Sequence, residues 1–367
     1  MPGHSLQFEQ LRYSLSKPRV AVVVPADSSA RSYRLMEQAG CDVAIADAAW
    51  SMGFNATIPE YLRLCAGADA IIGAGLEGIA ISRNILARFP DLRIYCRYNI
   101  GSDDIDVRAA TELGIMVTNS PVESNWGAVA ENTFGFLISL LKNLQARDRH
   151  VKEAGWRDDE PDADYVGRRH DGYEGLCVGI IGLGRVGSRL ADLLQPWRVR
   201  ILAQDPYVDL SKFINHNATR TDLDDLLRQA DVVTLHCDLN PETRRLIGER
   251  ELGLMKPTAV FINAARGGLV DPDALFHALD NDRIAAAALD VFDTEPPEKQ
   301  SPILGLGDKV LLAPHTAGRT RSSTFATAVP MQTEALLTAL RGRVPENVVN
   351  PEVLAKWKDR FGGNSLI

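Results

Sequence analysis

Near the middle of the chain, Val178-Gly-Ile-Ile-Gly-Leu-Gly-Arg-Val-Gly187 joins an apolar, β-branched run to a turn punctuated by glycine. Val178, Ile180 and Ile181 read as a buried parallel strand. Beyond Gly187, Ser188-Arg-Leu-Ala-Asp-Leu-Leu194 carries the apolar spacing of a helix. Strand, glycine turn and helix in this order fit one kind of unit, the first step of an open parallel α/β sheet. In such a turn Gly182 permits the tight bend, Gly184 lets backbone come close to a pyrophosphate, and Gly187 lets helix and strand pack closely. The N–H groups opening the helix then face the phosphates, and the helix dipole favours their negative charge.

A glycine turn of this kind also arises for packing alone, so its second half matters. The next apolar stretch, Val199-Arg-Ile-Leu-Ala-Gln204, ends in Asp205, eighteen residues after Gly187. A carboxylate there can accept bonds from the hydroxyls of an adenosine ribose and would repel a 2′-phosphate. The pattern predicts a dinucleotide site for NAD in preference to NADP.

The rest of the chain repeats the alternation. Strands are expected at Val20–Val24, Val43–Ile45, Ala70–Ile72, Leu92–Tyr95 and Ile115–Val117, with helices over Ser32–Glu37, Ile58–Cys65 and Val107–Leu113. This first third lacks a glycine fingerprint and reads as a second α/β domain. A long apolar helix, Asn125–Asn143, is expected to cross between domains, and Arg157–Gly175 reads as a surface loop. Further strands fall at Asp231–Leu235, Ala259–Ile262, Ala285–Val291 and Val310–Leu312, and a helix at Thr324–Leu340 is expected to return to the first domain. The predicted fold is α/β: two doubly wound parallel-sheet domains with a cleft between them. Residues 1–119 and 319–367 form the substrate domain, and 120–318 the dinucleotide domain.

Composition narrows the function. With 367 residues the chain has room for two domains. A formal net charge of -8 supplies no general attraction to nucleic acid or anionic membrane. No apolar run reaches the roughly 18 residues of a spanning helix, and Met1–Gln10 shows no secretory pattern. Five scattered cysteines argue against a disulfide framework or zinc cage, and seven dispersed histidines show no metal-ligand spacing. No metal is expected, and a reducing, cytoplasmic setting is.

Three segments end predicted strands, where ligands of open α/β sheets bind. They are Asn263-Ala-Ala-Arg-Gly-Gly-Leu-Val-Asp271, Leu289-Asp-Val-Phe-Asp-Thr-Glu-Pro-Pro297 and Leu312-Ala-Pro-His-Thr-Ala-Gly318. Between them they offer an arginine, a carboxylate and a histidine. Hydride chemistry on a 2-hydroxy acid needs that set: a bidentate cation for the carboxylate, a group titrating near neutrality for the oxygen, and an acid that orients the imidazole.

These residues, with Ile100-Gly-Ser-Asp-Asp-Ile-Asp106, Val129-Ala-Glu-Asn-Thr133, Leu235-His236 and Pro241-Glu-Thr243, give the chain its resemblance to the D-isomer-specific 2-hydroxyacid dehydrogenases. The resemblance is strongest from about Arg97 to Gly318. It implies a Rossmann NAD domain, a flavodoxin-like substrate domain and a homodimer, with the helix Trp126–Leu141 and the following loop as the plausible contact. It implies Arg266 as the grip on the substrate carboxylate and keto oxygen, His315 as general acid/base and Glu295 as its orienting partner. Asp290 would bind the nicotinamide carboxamide. The amides around Asn99, Ile100 and Gly101 would hold the substrate carboxylate. Arg185, Val186, Ala265 and Gly318 would join Gly182, Gly184, Gly187 and Asp205 around the cofactor.

Departures from the family pattern matter. Its Gly-x-Gly substrate loop is here Asn99-Ile100-Gly101, and Asn99 is expected to preserve the turn through a positive φ. The lysine of phosphite-oxidising relatives is replaced by Ile100, and the glutamine of formate-oxidising ones by Glu295. Only about 50 residues follow His315, so no terminal regulatory domain is expected.

Plainer roles compete at several positions. Arg266 could pair ions at the surface, Glu295 could lie solvated in a Pro-rich turn, and His315 could merely close a strand. His236 stands either by the cofactor's ribose or phosphates or at a strand cap. Asp103, Asp104 and Asp106 fit turn formation and N-capping, and His150 and His170 fit the surface. Trp50, Met52 and Phe54 could wall a substrate pocket or pack a loop. Arg97 could bind phosphate or close a strand. The sequence thus predicts an NAD-dependent enzyme of D-2-hydroxy or 2-oxo acids. A nucleotide-sensing corepressor is the alternative, and a phosphoglycerate-type oxidase a third reading that would need more cations.

Overall fold

The run Val20–Val24 offers water no polar side chain, so a strand built from it must be covered on both faces. In the computed structural model, which describes residues 17–47, 57–76, 79–157, 163–320 and 325–367, it is. The chain divides into two compact units, Met1–Val122 with Arg321–Ile367, and Glu123–Thr320.

The first unit alternates β1 (Arg19–Val24), α1 (Arg31–Gln38), β2 (Asp42–Ile45), α2 (Ile58–Leu64), β3 (Ala70–Gly73), α3 (Arg83–Leu86), β4 (Ile94–Arg97), α4 (Val107–Leu113) and β5 (Met116–Thr118). All strand pairs are parallel, in the order β2-β1-β3-β4-β5. That is the flavodoxin-like order of a doubly wound sheet. Asp106 caps α4 by accepting from the Ala109 amide at 2.9 Å, and Asp104 pairs with Arg97 at 2.7 Å. Arg97 is buried in that ion pair, which gives it a structural partner at the strand end. β4 lies two residues later than the apolar run Leu92–Tyr95 suggested. In a strand covered on both faces nothing in the polarity marks its ends.

The second unit begins with α5 (Glu123–Leu141) and α6 (Leu144–Lys152). It continues through β6 (Cys177–Ile181), α7 (Arg185–Leu194), β7 (Arg200–Gln204), α8 (Leu210–Asn215), β8 (Thr219–Arg220), α9 (Leu223–Gln229) and β9 (Val232–Leu235). It closes with α10 (Glu249–Leu254), β10 (Val260–Asn263), α11 (Pro272–Asp280), β11 (Ala286–Leu289) and β12 (Val310–Leu312). The sheet is wholly parallel, in the order β12-β11-β10-β9-β6-β7-β8. The order reverses at β6, which has β7 on one side and β9 on the other. One face buries Val178, Ile180 and Ala203 against Leu137 of α5 and Leu190 of α7; the other buries Ile181, Val233 and Phe261 against Leu226, Leu252 and Leu275. α5 lies within the second unit, so the helix expected to cross between domains does not; the chain passes between units at Val122/Glu123, just before it.

The chain then returns to the first unit through α12 (Ala328–Leu340) and α13 (Leu354–Phe361). Leu336, Leu340, Trp357 and Phe361 join the core formed by Val22, Ile72 and Tyr95. Trp357 is fully buried and donates its indole N–H to the Arg93 carbonyl at 2.8 Å. No helix among the described residues is long and apolar enough to cross a membrane, and no cluster of three or more His, Cys, Asp or Glu among them could hold a metal. Cys41, Cys65, Cys96 and Cys177 are buried and unpaired, and Cys237 is half-buried.

Candidate active site

Register decides where the chemistry can gather. Ile181 is level with Gln204 and Leu235, Asn263 with Leu235 and Leu289, and Leu289 with Leu312. The segments after these strands therefore leave the second unit's sheet along one edge. They carry the glycine turn, Asp205, His236, Arg266, Asp290, Glu295 and His315.

At the glycine turn each residue has its own reason. Gly182 has φ 93°, and a Cβ there would lie 2.7 Å from His236 backbone. A Cβ on Gly187 would lie 2.1 Å from the Gly182 carbonyl oxygen. The packing of the chain itself thus demands both. Gly184 is different: a Cβ there would meet nothing within 4 Å, and no side chain caps α7. The helix N-terminus, with exposed Arg185 and half-buried Val186 in its first turn, is left open to an anion. Asp205 accepts from the Leu183 amide at 2.8 Å and the Tyr207 amide at 2.9 Å, which ties the acid to the turn. These residues fit a dinucleotide. His236 turns its Nε2 to Thr234 Oγ1 at 3.0 Å, and desolvation pushes its pKa down to about 3, so the ring is neutral.

The histidine and the acid meet. His315 Nδ1 lies 2.6 Å from Glu295 Oε2, and the other Glu295 oxygen accepts from the Phe292 amide at 2.9 Å. Burial pushes the Glu295 carboxyl up, but the His315 and Phe292 bonds and the nearby Arg266 charge outweigh it and hold it below the usual range. The bond to Glu295 is the largest influence on His315 and raises its pKa, against burial and against Arg266. The charge of Arg266 thus acts on both partners. The three groups, far apart in sequence, share one electrostatic neighbourhood.

Backbone anchors set their positions. Asp290, almost fully buried, accepts from the Thr316 and Ala317 amides at 2.8 and 2.9 Å, and its carbonyl accepts from the His315 amide at 2.7 Å. Burial raises the Asp290 pKa despite those amides. His315 itself has φ 52°, in the left-handed region. Arg266 donates to the Ala265 carbonyl at 2.7 Å. Gly318 gives its carbonyl to Asn125 Nδ2 at 3.3 Å, and Ala317 gives its own to Asn132 Nδ2 at 2.8 Å.

Sequence reasoning gave no role to Asn263. Its Oδ1 accepts from the Ala265 amide at 3.0 Å, its Nδ2 donates to the Arg266 carbonyl at 2.9 Å, and its own carbonyl accepts from the Asp290 amide. The buried side-chain amide therefore braces the Arg266 segment, and the backbone carbonyl of the same residue ties that segment to Asp290. A polar residue closing the apolar run Ala259–Ile262 was the available signal.

In the first unit the loop Asn99-Ile100-Gly101 comes after β4. Asn99 is not among the residues of positive φ, contrary to the expectation. Its Oδ1 instead accepts from the Gly75 amide at 3.0 Å, so the side chain is drawn to the loop after β3. The Asn99 and Ile100 carbonyls accept from the Ser120 amide and Asn119 Nδ2. Among the described residues, the amides of Asn99, Ile100 and Gly101 donate no hydrogen bond. Trp50, Met52 and Phe54 lie outside the described residues.

Comparison with known proteins gives the geometry a context. Residues 134–317 match the model of the D-isomer specific 2-hydroxyacid dehydrogenase NAD binding domain. The chain is 38% identical over 286 residues to a glyoxylate reductase of Aeropyrum pernix, covering 75% of this chain and 81% of the relative. It is 36% identical over 297 residues to a D-3-phosphoglycerate dehydrogenase of Methanocaldococcus jannaschii, covering 80% of this chain but spanning only 54% of that relative. Among solved structures, a D-lactate dehydrogenase of Aquifex aeolicus complexed with NAD and lactic acid superimposes with a TM-score of 0.76 at 25% identity, covering 90% of this chain and 99% of that one.

Proposed function

Since the chain belongs to the D-isomer-specific 2-hydroxyacid dehydrogenases and carries their NAD-binding domain, we propose that it interconverts a D-2-hydroxy acid and its 2-oxo acid. NAD, when bound, supplies a nicotinamide carbon that gives or takes hydride. The chain supplies the rest. An ionised carboxylate only accepts hydrogen bonds, so Glu295 fixes the Nδ1–H tautomer of His315 and leaves Nε2 to hold or release a proton at the substrate oxygen. Arg266 grips the substrate carboxylate and polarises the keto oxygen. The unengaged amides of Asn99, Ile100 and Gly101 take the substrate carboxylate, and Asp290 orients the carboxamide of the nicotinamide. The observation that carries this reading is the 2.6 Å His315–Glu295 bond within the field of Arg266. The Aeropyrum relative is named for glyoxylate, so glyoxylate is the first substrate to try, beside hydroxypyruvate, pyruvate and phenylpyruvate. Loss of NADH absorbance in the presence of one of these acids is the expected result. Tight NADH binding with inertness toward every acid would move the protein to the sensor reading, which no feature of the site favours.

A pH profile tests the pair directly. Reduction needs His315 protonated, so kcat/KM for a 2-oxo acid falls as pH rises through a pKa held above the ordinary histidine value of about 6.5. In Glu295→Gln the largest raising influence is gone, and the falling limb moves toward acid. An unmoved limb would remove Glu295 from its role.

The same reading includes a cytoplasmic homodimer. It is supported by five cysteines left unpaired and by Leu144, Val151 and Trp156 exposed after α5, the last of them 70% exposed.

A further inference from the structure

In the second unit a second carboxylate is tied to the residue that Asp205 holds. β6 lies between β7 and β9, so the segments after β7 and β9 flank the glycine turn on either side. One hydrogen bond joins the two segments: the Tyr207 hydroxyl donates to Glu242 Oε2. The bond lies at the surface, with Tyr207 76% exposed, but the backbone at each end is held. The Tyr207 amide is held by Asp205 Oδ1 at 2.9 Å. On the other side Asn240 Oδ1 accepts from the Glu242 and Thr243 amides at 2.8 and 3.2 Å, and the Thr243 hydroxyl donates to the Asp238 carbonyl at 2.6 Å. Asp205 and Glu242 both bear on the Tyr207 phenol and raise its pKa, Glu242 more strongly. Two acids therefore stand about one phenol, beside the turn whose Gly184 leaves open space.

We infer that Glu242, held in place by Tyr207, is a second determinant of cofactor choice and acts with Asp205 to reject a dinucleotide that carries a phosphate on its adenosine ribose. This rests on the reading of the glycine turn as a dinucleotide site. A ribose phosphate brings nearly two negative charges, and like charges within a few ångströms repel appreciably even under partial solvent screening. NAD has no such group and does not meet the penalty.

The test is equilibrium binding of NADH and NADPH to the full chain, read by nicotinamide fluorescence at low salt, for wild type, Glu242→Gln and Tyr207→Phe. Glu242→Gln should tighten NADPH about tenfold and alter NADH less than about threefold. Tyr207→Phe keeps the charge but frees it, and should tighten NADPH by a smaller factor. Added salt should narrow the wild-type preference, because it screens exposed charges. An NADPH affinity unchanged in Glu242→Gln, with NADH still bound, overturns this inference alone. Failure of wild type to bind either dinucleotide overturns the reading beneath it as well.

Discussion

Replacing His315 with glutamine is expected to lower kcat for 2-oxo acid reduction by about 10³-fold, with the NADH dissociation constant changed less than about twofold. The size comes from the role. Positioned proton transfer contributes on the order of 10²–10⁴, and the half-exposed ring of His315 is the group whose pKa the site raises toward that use. Glutamine preserves a donor and much of the volume but cannot carry a proton through the pH range near neutrality. Its anchor to Asp290 is a backbone bond, from the His315 amide, and survives the substitution. The comparison to make is single-turnover reduction beside fluorescence titration of NADH. Turnover within a few fold of wild type would leave Arg266 as the main contributor and end the proposed role of the imidazole.

The second large effect is expected at a residue that touches no substrate. A Cβ added at Gly267 would lie 2.0 Å from both the carbonyl carbon and the oxygen of Phe292, and 2.4 Å from the Asp293 amide nitrogen. These are backbone atoms, so no rotamer change relieves the overlap. The segment holding Arg266 must move away from the segment holding Glu295, whose carboxylate is fixed by the Phe292 amide. Displacements near 1 Å at a reacting centre cost roughly 10²-fold in rate, and forced overpacking costs about 1–3 kcal/mol. Gly267→Ala should therefore lose about 10²-fold in kcat/KM, and its denaturation midpoint should fall. NADH binding at the glycine turn, which stands on other strands, should survive. Full activity in this variant would show that the two segments are not rigidly coupled.

Much of this was legible in the primary structure, for reasons that differ by residue. Gly182, Gly184, Gly187 and Asp205 were readable because one strand–turn–helix–strand pattern carries them all. Arg266, Glu295 and His315 were readable because each comes after an apolar run, and parallel strands deliver their C-terminal loops to one edge. The start of β4 was not readable, since Leu92, Ile94, Tyr95 and Cys96 are all buried and no alternation separates strand from approach. Short helices such as α8 and α10 span less than two turns, too little for a periodic signal. The conformation of Asn99 was misjudged because the Gly75 amide that captures its side chain lies 24 residues earlier in the chain, a contact only the folded sheet creates. The bracing by Asn263 is local, to Ala265 and Arg266, and escaped notice because a single polar residue closing an apolar run does not reveal which backbone groups its side chain will meet.

The discontinuity of the first unit bears on how the protein is made. Its core needs Leu336, Leu340, Trp357 and Phe361, which the ribosome adds only after the whole of Glu123–Thr320. Translation normally lets the earlier domain mature before the later one. Here the order inverts: the inserted nucleotide-binding unit can complete itself during synthesis, while the five-stranded sheet begun first stands with part of its apolar surface bare until the final helices arrive. That interval, more than the finished fold, is where this chain is most exposed to misassociation and has most to gain from a chaperone.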